Sequence, residues 1–338
     1  MKTALYAEHL ALGAKMVDFG GWEMPIQYKG IIHEHLVVRQ NVGIFDVSHM
    51  GRIIIEGNDA ECLLNNLSTN VINKFDGSAT YTVWCDLDGM CVDDLIVYKE
   101  NSHHFFIVVN AGNRQKDLMH LKQQAMGWDV TITDTYEDGG ILAIQGPLAA
   151  KLIFSLFPQA SSLKHMHFIS SSYEGQEILI ARTGYTGEEG FEIYASNAAT
   201  VNLWNLLLKE GQKYQIEPIG LGARDTLRLE MGYALYGHEI SATIAPTESV
   251  SAWTVKLSQH DFLGKPKLQS LEMLSTKRHA YGIILQDKGI AREGCEVFNL
   301  GTLIGKVTSG TFSPSLNQAI AIVLVEKNLQ EGDSVDVK

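Results

Sequence analysis

Two adjacent aspartates, Asp93 and Asp94, interrupt the apolar run GMCVDDLIVYKE at residues 89–100. Val92, Leu95, Ile96, Val97 and Tyr98 around them are strand formers. Successive strand residues face opposite sides. One carboxylate therefore shares a face with Val92, Ile96 and Tyr98, and the other with Cys91, Leu95 and Val97. A carboxylate withheld from bulk water can take and return a proton near neutral pH, which is the work of a general acid or base. An edge strand with both acids hydrated or ion-paired fits the same pattern, and spacing alone does not choose a face.

Glu192 lies in GYTGEEGFEIY, after Gly184, Gly187 and Gly190. Phe191 and Ile193 point one way and Glu192 and Tyr194 the other. A carboxylate beside a glycine loop can accept two parallel N–H bonds from a flat, guanidine-like edge such as that of a pterin, with glycines allowing close approach. A plain loop with a solvated acid reads the same way. Arg224, in GLGARDTLRLE, sits in the first turns of a helix. It fits either an anion or carbonyl contact or an ion pair with Asp225 or a distant acid. Asp225 stands where a GxGxxG fingerprint needs its third glycine, so a dinucleotide site is rejected. Asn110 closes the strand FFIVVN as a turn or cap residue, and His49 in FDVSHMG reads as a structural histidine. No HExxH or Ser–His–Asp set occurs, and HEH at 33–35 lacks a third ligand at sensible spacing.

The chain has 338 residues, enough for two or three domains, with ordinary globular proportions of 45% hydrophobic and 20% charged residues. A net charge of -12 argues against a nucleic-acid binder, which needs a basic footprint. Cys62, Cys85, Cys91 and Cys295 form no CxxC pair, which suits a reducing, cytoplasmic setting. Glu8 and His9 break up the N-terminal apolar residues, so a signal peptide is rejected. No run of about 18 apolar residues exists to span a membrane.

The elements that must position these residues are clearest over 51–134. GRIIIEG, SATYTVWCD, MCVDDLIVYKE, HHFFIVVN and VTITD read as strands, and NDAECLLNNL and roughly 113–126 as helices. That order suits a ferredoxin-like split βαβ unit with an extra strand. GGILAIQ is a strand, and Pro147 opens a helix. FISSSYEGQEILIART is a hairpin turning at Glu174-Gly175. Helices follow at about 198–211 and 217–231. From about 278 short strands and glycine turns predict a small barrel or sandwich. The fold class is α+β.

Eight motifs run in order along nearly the whole chain: GAKMVDFGGWEMPIQY, GIFDVSHMG, DGMCVDDLIVY, VVNAGNRQKD, IQGP, ARTGYTGEEGFEIY, GLGARDTLRLEMGYALYG and VTSGTFSPSL. In this the chain resembles the T protein of the glycine cleavage system, the tetrahydrofolate-dependent aminomethyltransferase. The resemblance implies a three-domain cloverleaf around a central folate channel. Residues 1–50 and 139–255 would form the central folate-binding domain, 51–138 a ferredoxin-like domain, and 272–338 a C-terminal β domain. It implies transfer of the methylene carbon from the S-aminomethyl-dihydrolipoyl arm of the H protein to tetrahydrofolate, giving 5,10-methylenetetrahydrofolate and ammonia. No metal, flavin or nicotinamide is implied. The second aspartate of the family's pair maps to Asp94 as the catalytic residue. Glu192 maps to the pterin pocket, Arg224 to the binding arginine, and Asn110, Tyr81 and Tyr185 to the folate site.

Two departures stand out. The sequence stops at GDSVDVK, before the family's usual C-terminal segment and its substrate-binding side chain. PTESVSAW at 246–253 replaces a more apolar, glycine-containing stretch, and its expected effect is on packing. A non-catalytic folate-binding relative of iron–sulfur maturation would carry a KGCY-x-GQE-type motif, which is missing. Folate domains of sarcosine or dimethylglycine oxidases come fused to a flavin domain. A folate-dependent demethylase of a small molecule would read the same.

Overall fold

A computed structural model describes residues 1–274 and 277–338. Its strands build three large sheets and one hairpin, Lys15–Phe19 with Trp22–Gln27. The largest sheet has six strands in the order Phe168–Tyr173, Gln176–Ala181, Gly190–Ser196, Gly139–Gln145, Val42–Asp46 and Ile216–Pro218. All its pairings are antiparallel except the last. Strict alternation divides its two faces. Val42, Ile44, Leu142, Ile144, Phe191 and Ile193 point to one face, where helices Ala149–Leu156 and Asn197–Glu210 cover them with Leu152, Leu203, Trp204 and Leu207. Phe45, Val47, Ile141, Ala143 and Tyr194 point to the other. A one-residue slip of Gly190–Ser196 would drive Glu192 into the apolar layer and expose Phe191, so its register is strongly specified.

The second sheet runs Ser78–Cys85, Cys91–Asn101, His104–Val109, Gly51–Glu56 and Thr131–Asp134, all antiparallel. Helices Ala60–Leu67 and Arg114–Gln124 cover one face. The last four strands have ferredoxin-like order, and Ser78–Cys85 is the extra strand at the edge. The uncovered face, with Ala79, Ile96, Tyr98, Phe106 and Val108, joins the uncovered face of the six-stranded sheet in one apolar cluster. Helix Leu221–Glu230 packs into that cluster through Ala223 and Leu227.

The third sheet runs His279–Ile284, Gln318–Val325, Thr302–Ser313, Glu296–Asn299 and Asp336–Val337. It does not close: among the described residues its two edge strands do not pair with each other. The expected barrel or sandwich is therefore an open antiparallel sheet, with a bulge between Val307 and Ser309 adding local twist. It packs on the helix Leu221–Glu230, where Leu229 meets Ile320 and Ile322.

Two boundaries differ from those read in the sequence. The helix expected from 217 starts at Leu221, because Ile216–Pro218 is a short strand and Gly220 is the turn. A side chain at Gly220 would meet the Ile26 carbonyl at 2.3 Å. Pro147 precedes the helix Ala149–Leu156 rather than opening it. Pro147 and Leu148 form a turn closed by the Ala149 N–H on the Gly146 carbonyl. The hairpin at Glu174-Gly175 has both residues at positive φ, the geometry of a two-residue type I′ loop. No described helix is long and apolar enough to cross a membrane.

Candidate active site

The two sheets, the helix Leu221–Glu230 and the irregular segment that follows it enclose a cavity of about 530 Å³, a volume typical of small-ligand sites. Asp94, Asn110, Tyr81, Glu192, Arg224 and Tyr185 all line it, along with apolar wall from Val47, Met50, Ile96, Val108 and Ile141.

The strand Cys91–Asn101 separates the two acids. Asp93 turns towards the helix-covered side and is wholly buried, while Asp94 fronts the cavity with Ile96. Pair register explains the partners of Asp94. Val83 lies opposite Asp94, so Tyr81 is its diagonal neighbour on the same face. Val109 pairs with Leu95, so the next residue, Asn110, arrives beside Asp94. The Tyr81 hydroxyl donates to Asp94 Oδ2 at 2.9 Å, and Asn110 Nδ2 donates to Oδ1 at 2.8 Å. Burial pushes the Asp94 carboxyl up to about 7, and the negative charge of Asp93 pushes the same way; the bonds from Tyr81 and Asn110 oppose both. Such a carboxyl can both take and give a proton near neutral pH. Asp93 accepts from the Asn110 backbone N–H at 3.1 Å, Asn110 Nδ2 at 2.9 Å and Asn113 Nδ2 at 2.5 Å. It is paired rather than hydrated.

Elsewhere in the cavity, Glu192 Oε2 accepts from Thr183 Oγ1 at 2.5 Å and from the Tyr194 hydroxyl at 3.1 Å. The Tyr98 hydroxyl stands 3.3 Å from the same oxygen. Among the described residues Oε1 accepts nothing, so half of this nearly buried carboxylate faces the cavity uncommitted. The nearby glycines serve a different neighbour from the one the sequence suggested. A side chain at Gly184 or Gly190 would strike the Gln145 amide, at 2.0 and 2.4 Å, and only Gly184 of the three lines the cavity. Gln145 holds the loop through Thr183 and Thr186.

The Arg224 side chain makes no hydrogen bond or ion pair among the described residues. Asp225, the partner the sequence offered, binds Arg228 at 2.8 Å instead. The Arg224 guanidinium lies 4.6 Å from the Tyr185 ring centroid, a cation–π contact. Tyr185 stacks on Tyr233 and donates to the Ala234 carbonyl. Burial lowers the proton affinity of Arg224, against the pull of Tyr185 and Glu192.

The structure also changes how some residues read. His49, which reads as a structural histidine in the sequence, lines the cavity with Nδ1 buried and, among the described residues, unpartnered. Burial lowers its affinity for a proton to about 4, and the charge of Arg224 adds to this, so the ring is neutral. The segment PTESVSAW is cavity wall as well as packing. Ser251 Oγ lies 3.1 Å from the Tyr81 hydroxyl, and Trp253 stacks on the Tyr81 ring at 5.7 Å. Trp253 sits in the second of two short 3₁₀ turns and Ser251 in the link between them, and such turns leave no periodicity to read. Among the described residues no three His, Cys, Asp or Glu side chains gather to hold a metal ion.

The family model of the GCVT N-terminal domain matches residues 5–259, and that of the glycine cleavage T-protein C-terminal barrel domain matches residues 278–338. The chain belongs to the glycine cleavage T-protein family. Among similar T proteins, the aminomethyltransferase of Chlorobium luteolum is 43% identical over 335 residues, covering 98% of this chain and 92% of its own. That of Pseudothermotoga lettingae is 40% identical over 337 residues, covering 99% and 93%. The crystal structure of the glycine cleavage system aminomethyltransferase T from Bartonella henselae superposes with a TM-score of 0.89 at 33% identity, over 96% of this chain and 90% of that one. This T-protein family member is thus a transferase of the aminomethyltransferase type.

Proposed function

We propose that this chain moves the methylene carbon of an aminomethyl group from the dihydrolipoyl arm of the H protein to tetrahydrofolate. The observation that carries the proposal is Asp94: a cavity-facing carboxyl with proton affinity near neutrality, held by two neutral donors and no cation. The free Glu192 oxygen supports a pterin at the other part of the cavity, because the ring N–H and 2-amino group present the parallel donors that a carboxylate accepts. The unpaired Arg224 suits a carbonyl or anionic group of the same molecule. Tyr81, Asn110 and Tyr185 hold and wall the site between them.

In the reaction the carbon loses its bonds to sulfur and nitrogen and gains bonds to folate N5 and N10. Two N–H protons leave folate; one completes ammonia and the other the dihydrolipoyl thiol. N10 is a weakly nucleophilic aryl amine, and positive charge develops as it attacks. Asp94, as carboxylate, accepts the N10 proton and stabilises that charge, then returns the proton to the leaving group. In a cavity shielded from water this attraction exceeds its value in solvent. Fixing both substrates in one orientation supplies the remainder. A cytosolic setting belongs to the same reading and is supported by free Cys62, Cys85, Cys91 and Cys295.

The test is ammonia release from aminomethyl-lipoyl H protein, with and without tetrahydrofolate. The wild type should need folate for rapid release. Asp94→Asn should bind folate within about threefold of wild type yet lose on the order of 10²–10⁴ in turnover. Near-wild-type turnover in that variant would remove Asp94 from the chemistry.

A further inference from the structure

Behind Asp94 lies a third acid that the chemistry above does not use. Asp117 sits in the first turn of the helix Arg114–Gln124 and is wholly buried. Neither of its carboxylate oxygens receives a hydrogen bond from any described donor. Its neighbour is Asp93, which faces the same helix and is also wholly buried. Asp93 differs in having a full set of donors, the Asn110 backbone N–H and the side-chain amides of Asn110 and Asn113. Two neighbouring buried carboxylates that share no cation cannot both be ionised in such a place. The donors all favour charge on Asp93. The empty oxygens of Asp117 favour the neutral acid, whose O–H has Asp93 as acceptor. Burial, then the charge of Asp93, pushes Asp117 up to about 11; burial raises Asp93 as well, but hydrogen bonds from Asp117, Asn110 and Asn113 oppose that rise.

We propose that Asp117 and Asp93 share one proton, and that this singly charged acid pair is the positioning device behind Asp94. It aims the Asn110 amide at Asp94 and places one fixed negative charge behind it, so that Asp94 retains its proton into the neutral range. The path runs from Asp117 to the neighbouring Asp93, from Asp93 to Asn110, and from Asn110 Nδ2 to both Asp93 and Asp94. Other groups face this cluster. Lys116, on the same helix, is drawn to the Tyr236 hydroxyl at 2.6 Å, and His120 lies one turn further on. Cys91 stands on the strand of the two acids, with Cys85 and Asp86 across the hairpin and Tyr81 on the cavity side. None of these supplies Asp93 with an ion pair among the described residues. The inference rests on the reading of Asp94 as the proton carrier, but its first test does not.

That test is infrared difference spectroscopy of the folded full-length protein at about pH 9, where Asp94 is ionised. Wild type should show the carbonyl band of one neutral buried carboxylic acid that Asp117→Asn lacks and Asp93→Asn retains. The absence of such a difference overturns the shared proton, whatever Asp94 does. The second test is the pH dependence of kcat/KM. Asp117→Asn preserves both the donor and the single charge, so activity should stay within about threefold and the acid limb should not move. Asp93→Asn removes the charge, so the acid limb should shift down by about one pH unit or more. An unmoved acid limb in folate-binding Asp93→Asn, or a moved one in Asp117→Asn, overturns the positioning role. If Asp94→Asn retains turnover while the infrared band behaves as expected, the reading of Asp94 has failed and the acid pair stands.

Discussion

Glu230 and Asp94 are both drawn into the protein and both hydrogen-bonded, yet they are held in opposite ways. Glu230, at the end of the helix Leu221–Glu230, accepts from Arg39 Nη2 at 2.9 Å, Ser313 Oγ at 2.5 Å and Ser315 Oγ at 2.7 Å, and touches His35 Nε2 at 3.1 Å. Burial alone would raise its proton affinity; the bonds from His35, Ser313, Ser315 and Arg39 outweigh that and hold it well below the usual carboxylate range. Asp94 has two neutral donors and a like charge for a neighbour, and moves up. The same chemical group is held as an anion where a cation and many donors meet it, and keeps a proton affinity near neutrality where they are withheld. Glu230 therefore fastens elements together, and Asp94 is left able to change state.

The contrast can be broken by stability measurements. Glu230→Ala leaves Arg39 and His35 without their acid and should cost about 2–4 kcal/mol in urea unfolding, less than a fully buried pair because solvent partly screens the site. A carboxyl held low in the fold stabilises it above the ordinary carboxylate range. That contribution is lost as pH falls through the folded value, so the gap to wild type should be widest above about pH 5 and close on acidification. A gap that widens in acid would contradict the assignment. Asp94→Asn should do the reverse. A carboxyl raised in the fold drains stability from wild type as pH climbs from about 4 to about 7. The variant should then be more stable than wild type by ~1–3 kcal/mol at pH 8, with no gain near pH 4. Equal stability at both pH values would mean that Asp94 is not strained by its surroundings. Glu192 is intermediate, with hydroxyl donors on one oxygen and none on the other. Glu192→Ala should weaken tetrahydrofolate binding by more than about 1 kcal/mol, read as a rise of roughly fivefold or more in Kd. Unchanged affinity would remove it from the pterin pocket.

Local pattern made much of this readable. Strand alternation separates Asp93 from Asp94 and Glu192 from Phe191 before any coordinates are known, and the order of strands and helices over 51–134 leads to the ferredoxin-like arrangement. What alternation cannot supply is the identity of the material facing each side. Ser251 reaches Tyr81 across 170 residues of chain and His35 meets Ser315 across 280, contacts with no local signature. Asp117 reads as an ordinary acidic residue in a helix's first turn, and only its burial against Asp93 makes it unusual. The sequence pattern starts this helix at 217 rather than at Leu221 because Ile216–Pro218 is too short to show a period, and the C-terminal strands carry no information on whether their edges meet.

The helix Leu221–Glu230 has Arg224 at the cavity and, one turn on, Arg228 bonded to Ser309 of the C-terminal sheet at 3.0 Å and to Glu239 at 2.8 Å. With Glu230 clasping Ser313 and Ser315, the helix works as a short rigid lever: one end is clamped to a sheet and the other holds a cation, free of any acid among the described residues, at the cavity wall. A rod about 15 Å long does not bend over so few turns. The C-terminal sheet, which lends no side chain to the cavity wall, therefore helps to set where Arg224 stands, and a slip of that sheet would be felt as a misplaced charge in the cavity.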